Sequence, residues 1–242
     1  MTPPPPRPAF EPSFVRLCAA IPATIGVAVA APRPARPAEV FSLGEWSGGV
    51  AWSTIKVPLA LAALRSDPVG AADLAAKAIT KSDNRASERL WSLLGEPTDA
   101  ARRVQAVIKE SGDTVTVVES RRLRTGFTAF GQTHWTLDGQ ARFAARLPDI
   151  PGAATVIELM HRITRGQRWG LAAKGVAAKG GWGPGVAGDY LVRQFGIVPT
   201  ESGHVGVALA AEVQDGAFDT GVDALNRVTD WLFGHLSQLT PY

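Results

Sequence analysis

The run Val57-Pro58-Leu59-Ala60-Leu61-Ala62-Ala63-Leu64 carries no charge and no polar side chain. A helix built from it is apolar on every face, and such a helix belongs at the centre of a protein rather than on its surface. It is expected to open at Ser53, behind Ala51-Trp52. Ser53 and Lys56 stand three residues apart at its first turn, which places a hydroxyl and an amine on one side of the helix, close enough to touch. A helix start also carries free N–H groups and a partial positive charge. Both help to lower a nearby lysine's pKa and to hold an oxyanion. A serine hydroxyl is a weak nucleophile until a base takes its proton, and a buried neutral lysine can be that base. Serine before a helical run is equally a favoured N-cap. The pair gains chemical meaning only from what stands downstream.

The chain has 242 residues, 45% of them hydrophobic, enough for one large domain or two small ones with a substantial core. A net charge of +3 is too slight to argue for nucleic acid, and no basic run carries interleaved aromatics. Cys18 is the single cysteine, which excludes an internal disulfide and a cysteine-built zinc site. His134, His161, His204 and His235 form no pair at helical metal-ligand spacing. No phosphate loop of the G-x-x-x-x-G-K type is present. No metal and no cofactor are therefore expected. No stretch approaches the roughly 18 apolar residues that span a membrane. Leu17 to Ala31, behind Arg16, imitates a secretory signal, but Pro22 divides it and Ile25 to Val29 makes a better core strand. A monomer is expected.

Five prolines among residues 1–8 predict an extended tail over 1–9. A helix is expected over Phe10–Ala20, then strands over Ala23–Ala31 and Glu39–Trp46, joined as a hairpin through the proline-rich 32–37. Helices follow over 71–80, 85–94, 98–110 (with Thr98 as cap), 136–147 and 153–164, with a long loop over 112–131. Strands resume at 177–182, 190–198 and 205–213. Residues 220–239 form an amphipathic helix with Val222, Leu225, Val228, Leu232 and Leu236 on one stripe. Runs of like elements argue an α+β fold. The two strand groups are expected to form one antiparallel sheet within a discontinuous unit, 10–50 and 172–242. The helical unit, 51–171, packs beside it, with the active site in the cleft between them.

Two further stretches can carry chemistry. Ser82-Asp83-Asn84 precedes a helix, where such residues are favoured caps. Lys179-Gly180-Gly181 puts a lysine on a strand, followed by glycines that let another backbone approach. A near-repeat, Ala172-Ala173-Lys174-Gly175, leaves Lys174 as the competing lysine. Lys179 is preferred because two glycines follow it.

Ser53-Thr54-Ile55-Lys56, Ser82-Asp83-Asn84 and Lys179-Gly180-Gly181, in that order, resemble the S-x-x-K, S-D-N and K-T-G elements of the class A β-lactamases and penicillin-binding proteins. The resemblance runs from about Phe10 to the end of the chain. It implies a five-stranded antiparallel sheet flanked by helices, with an inserted all-helical domain. It implies that Ser53 attacks a carbonyl and becomes acylated, that Lys56 accepts its proton, and that Ser82 relays a proton to the leaving nitrogen. Asn84 then holds Lys56 or a substrate amide, and Lys179 keeps the far wall positive. Gly181 and Trp182 border the substrate, with the N–H groups of Ser53 and Trp182 as oxyanion hole. Arg193, on the next strand, meets a substrate carboxylate. The implied substrate is a small molecule or peptide with an amide or ester carbonyl, and the implied location is the cell envelope or outside the cell.

Two departures stand out. Gly180 replaces the Thr or Ser that in the family contacts the substrate's carboxylate, and Trp182 replaces a small residue. The segment Gly112-Asp113-Thr114-Val115-Thr116 resembles the lead-in to the loop whose glutamate activates the hydrolytic water in class A enzymes. Counting on from it puts Arg122 at that glutamate's place and Glu119 three positions early. Gln132 can orient a water but cannot take its proton. The expectation is a serine acyl-transfer hydrolase that deacylates slowly. The alternative is a scaffold of the same fold that binds a ligand or partner without turnover.

Overall fold

The structure, a computed structural model, describes residues 10–33 and 36–239. The expected tail over 1–9 lies outside the described residues. In chain order the elements are α1 (Glu11–Ala19), β1 (Thr24–Arg33), β2 (Arg36–Gly44), β3 (Gly48–Val50) and α2 (Lys56–Ser66). Then come α3 (Pro68–Thr80), α4 (Asn84–Leu93), α5 (Pro97–Lys109), β4 (His134–Thr136), α6 (Leu137–Arg146) and α7 (Ala154–His161). Strands β5 (Ala177–Pro184), β6 (Tyr190–Thr200) and β7 (Gly203–Val213) and helix α8 (Phe218–Leu239) complete the chain.

The fold is α+β. Five strands form one antiparallel sheet in the order β2-β1-β7-β6-β5, so the first and second strand groups join through β1 and β7. Alternation sorts each central strand between two cores. Val27, Val29, Val207 and Leu209 pack on the face with Phe14 of α1 and Leu225, Val228 and Leu232 of α8. Ala28, Ala30, Ala208 and Ala210 face the other way and pack with Leu137, Ala141 and Ala144 of α6. Small side chains on that face let α6 lie close to the sheet. Every residue of α2 from Lys56 to Ala63 is buried, as its apolar composition requires.

Local chemistry fixes the helix starts. Asp67 caps α3 by accepting from Gly70 N–H, Asp83 caps α4 by accepting from Ala86 N–H, and Thr136 caps α6 by accepting from Gly139 N–H. The expected cap at Thr98 is not formed. Pro97 opens α5 instead, with Glu96 in the cap position, because proline's missing N–H is harmless in a first turn. The expected helix start at Ser53 is also corrected: Trp52–Ile55 is a 3-10 turn, and the α-helix opens at Lys56. The hairpin strands run into the proline-rich segment, to Arg33 and from Arg36, with an irregular register there. The short β3–β4 pair, outside the large sheet, had no periodic signal at three residues per strand. Among the described residues no helix is long and apolar enough to cross a membrane.

Candidate active site

Three segments converge on the start of α2. The 3-10 turn carries Ser53 toward a cleft, and Trp52 before it holds φ at +51°. Ser82, in the three-residue gap between α3 and α4, holds φ at +55°. Left-handed backbone is uncommon for residues with a side chain, and such strain concentrates where side chains must be aimed. The edge strand β5 supplies the third segment. A Cβ on Gly181 would stand 2.8 Å from both Ser53 N and Ala51 O, so glycine alone lets β5 run against the Ser53 turn.

A chain of polar contacts joins these segments. Lys56 Nζ donates to Ser82 O at 2.6 Å and Asn84 Oδ1 at 2.7 Å, and lies 3.3 Å from Ser82 Oγ. Lys179 Nζ donates to the same Ser82 Oγ at 3.0 Å, to Gly180 O at 2.8 Å and to Gln167 Oε1 at 3.4 Å. Ser82 Oγ thus bridges two lysines that are 123 residues apart in sequence by their numbers, 56 and 179. Burial drives the Lys56 ammonium down from 10.5 to about 7, against an opposing pull from the Asp83 carboxylate. Burial, then the charge of Lys56, pushes Lys179 well below the ordinary lysine range. Burial thus brings both amines closer to neutrality than exposed lysines, one on each side of the Ser82 hydroxyl.

Trp52, Ser53, Lys56, Asn84, Gly126, Phe127, Thr128, Gly131 and Trp182 line one cavity of about 150 Å³. Ser53, Lys56, Asn84 and Trp182 thus share one space, while Ser82 and Lys179 do not line it: Ser82 is bonded to Lys56, and Lys179 to Ser82. The competing lysine, Lys174, is elsewhere, in an exposed ion pair with Asp230. Trp182 packs on Phe218 at 5.2 Å and on Trp169 at 6.0 Å, so its ring forms a fixed wall.

Arg193 is a correction. It lies opposite Gly181 in the β5–β6 pair, as a neighbour of the cleft strand should. Its side chain, however, is fully buried away from the cleft. It donates to Gly49 O, Val50 O, Trp135 O and Gln140 Oε1 at 2.7–3.0 Å, and lies 4.9 Å from the Trp46 ring. It ties β3 and β4 to the sheet and has no reach to a substrate carboxylate.

The segment between α5 and β4 forms the outer wall. Asp113 anchors it, accepting from Thr116 Oγ1 and from Trp135 Nε1 at 2.7 and 2.9 Å. Glu119 does not line the cavity. It accepts from Ser120 N–H, Arg121 N–H and the Arg121 guanidinium, which holds its carboxyl below the usual carboxylate range. Arg122 pairs with Glu88. Arg124 donates to Pro184 O at 2.7 Å and sits 4.6 Å from the Phe127 ring, pinning this wall to the end of β5. No carboxylate lines the cavity among the described residues. Gln132 is buried outside it, with no partner for its Nε2. Sequence reasoning missed Trp52, Phe127, Arg124, Gln167 and Trp169. Trp52 was signalled by its place beside Ser53; the others had no local pattern.

No family model and no curated protein matches the sequence. Solved structures do match. A β-lactamase from Chitinophaga pinensis is similar with TM-score 0.74 and 15% identity, over 93% of this chain and 98% of that one. A β-lactamase from Sphaerobacter thermophilus gives 0.69 and 18% identity, over 96% and 99%. The extended-spectrum β-lactamase TLA-3 gives 0.73 and 16%, over 94% and 98%. The chain has the β-lactamase fold along nearly its whole length.

Proposed function

We propose that this protein is a serine acyl-transfer hydrolase, a divergent relative of the class A β-lactamases, acting on an amide or ester through an acyl-Ser53 intermediate. The observation that carries the reading is the Lys56–Ser82–Lys179 bridge beside Ser53, with Lys56 near pKa 7. A general base works best when its pKa lies near the operating pH. Neutral Lys56 takes the Ser53 proton as Oγ attacks the carbonyl carbon. The resulting oxyanion is held by the Ser53 and Trp182 N–H groups. Ser82 passes a proton to the leaving nitrogen or oxygen, and Lys56 restores it. Asn84 keeps the Lys56 amine aimed by accepting its hydrogen bond. Water then attacks the ester carbonyl, releasing the acid. With no carboxylate lining the cavity, deacylation falls to Lys56 alone and is the slow step.

A second reading, a binding scaffold without turnover, is favoured by the cavity's size. About 150 Å³ is below the roughly 300–1,000 Å³ of pockets that enclose drug-sized ligands. Incubation with an activated ester and with a labelled penicillin, followed by intact-mass and peptide analysis, separates the two. A mass gain on Ser53 that disappears in Ser53→Ala supports the enzyme. No adduct from any acyl donor supports the scaffold.

A further inference from the structure

The outer wall carries three guanidinium groups close together, on Arg121, Arg122 and Arg124. Two are neutralised: Arg121 pairs with Glu119 and Arg122 with Glu88. Arg124 forms no ion pair among the described residues, although it is half-buried where the other two are exposed. Its guanidinium lies 4.6 Å from the Phe127 ring and 5.8 Å from the Trp52 ring, and both rings line the Ser53 cavity. Nη1 donates to Pro184 O at 2.7 Å. Nε and Nη2, the pair that grips a carboxylate side-on, make no bond among the described residues. A cation stacked on two rings and fixed by one carbonyl is aimed before any ligand arrives.

Strand β5 sets the order of groups along the cleft. Lys179, near its start, holds Ser82, the proton donor to the leaving atom in acyl transfer. Gly181 lies against the Ser53 turn, and Gly183 lies against the Trp52 ring, which a Cβ there would strike. Pro184, the last residue of the strand, holds Arg124. Along an extended strand Lys179 and Pro184 are about 16 Å apart, and Gly181 and Pro184 about 10 Å. Ser53 stands between the two ends, so a leaving group extends toward Ser82 and an acyl group toward Arg124. The buried cations are committed elsewhere: Lys56 and Lys179 to Ser82, and Arg193 to the carbonyls of β3 and β4 and to Gln140. Position 180 cannot regain a hydroxyl, because a Cβ there would stand 2.6 Å from Cη2 of Trp169, an indole only 5% exposed. Asn84 and Thr128 line the cavity beside the rings, so a polar acyl chain meets partners on its way.

We propose, on the acyl-transfer reading above, that Arg124 is a specificity-determining residue: the acyl donor carries a carboxylate on its acyl portion, and Arg124 pairs with it through Nε and Nη2. With an aryl monoester of a dicarboxylic acid, Ser53 Oγ bonds to the ester carbonyl carbon and the carbon–aryloxy bond breaks. The proton from Ser53 ends on the released phenol. The far carboxylate stays on Arg124 while water cleaves the Ser53 ester, giving the dicarboxylic acid and the free hydroxyl. No oxidant or cofactor enters the balance.

The test uses the full chain and two pairs of esters, each acylation rate divided by the ester's own hydroxide-catalysed rate. In the first pair the charge is on the acyl side: the mono-4-nitrophenyl ester of adipic acid against that of adipic acid monoamide. In the second it is on the leaving side: 3-carboxyphenyl hexanoate against 3-carbamoylphenyl hexanoate. The expected carboxylate-to-amide ratio is about tenfold in the first pair, the scale of one charge-assisted contact, and about one in the second. A first ratio of one or less, or a second ratio as large as the first, overturns the assignment to Arg124 and leaves acyl transfer standing. Arg124→Gln is expected to bring the first ratio down to about one, and the ratio is insensitive to any loss of folded protein. A ratio still near tenfold in that variant overturns the assignment. If Arg124→Gln does not fold, Arg124→Lys decides: it keeps the charge without the side-on pair and is expected to leave about threefold, whereas an unchanged ratio overturns the proposed contact. No label on Ser53 from any of the four esters overturns acyl transfer itself, and the assignment with it.

Discussion

Lys56, Lys179 and Arg193 are the three cationic side chains buried among the described residues, at 1%, 0% and 0% exposure. They sit in two neighbouring regions with opposite characters. Around Arg193 the acceptors are three backbone carbonyls and a glutamine held in turn by its bond to Thr54 Oγ1. Those groups only accept, and an arginine does not give up its proton. That region is a fixed tie between sheet layers. Around the lysines the central acceptor is the Ser82 hydroxyl, which donates as readily as it accepts, and the amines have been brought toward neutrality by burial. Buried charge by itself therefore does not mark a site. What marks it is a partner through which a proton can leave.

The comparison is most severely tested by Lys56→Ala. Acylation of Ser53 per folded molecule is expected to fall by about 1,000-fold, within the range for losing a general base. A fall of less than tenfold would remove Lys56 from the chemistry. Arg193→Met should do the reverse. Leaving buried carbonyls unpaired is expected to cost about 3–5 kcal/mol of stability, with acylation per folded molecule, measured well below the melting temperature, changed only a few-fold.

The pH dependence of stability sharpens the same contrast. Lys56 titrates near 7 when folded and near 10.5 as a free side chain. Between those values the unfolded chain binds a proton that the folded chain does not, so stability rises with pH across that window. Below pH 7 both states are protonated and the burial cost is present in full. Urea midpoints at pH 7 and pH 9.5 should show the rise, and Lys56→Met should flatten it. Lys179, shifted in the same direction, retains part of the slope. The smallest effect is expected from Glu119→Gln. Its carboxylate is taken up by Arg121 and the adjoining N–H groups, so release of a trapped acyl group should be unchanged, as followed by loss of the adduct mass. A tenfold slower release would restore Glu119 as the water base.

Much of this was legible in the chain, and unevenly so. The apolar run at 57–64 marked a central helix because no surface could accept it, the alternation over 190–198 marked one strand, and the apolar run over 205–213 marked another. The residues that meet at the cleft were legible as short polar motifs at element ends, where propensity is weak and side chains are free to aim. Arg193 was misplaced because strand adjacency is visible in sequence, whereas the face a side chain takes depends on what covers it. Here β3 and β4 cover it, each too short to carry a period. The wall built by Arg124 and Phe127, and the indole of Trp169 against Gly180, arise from contacts between distant segments and left no local signal.

The most direct test is the rate at which an uncharged fluorophosphonate labels Ser53 as a function of pH. If Lys56 is the base, the rate climbs between pH 5 and 9 with a midpoint near 7, and the profile vanishes in Lys56→Ala. A rate that stays level across that range, or the same profile without Lys56, would contradict the account.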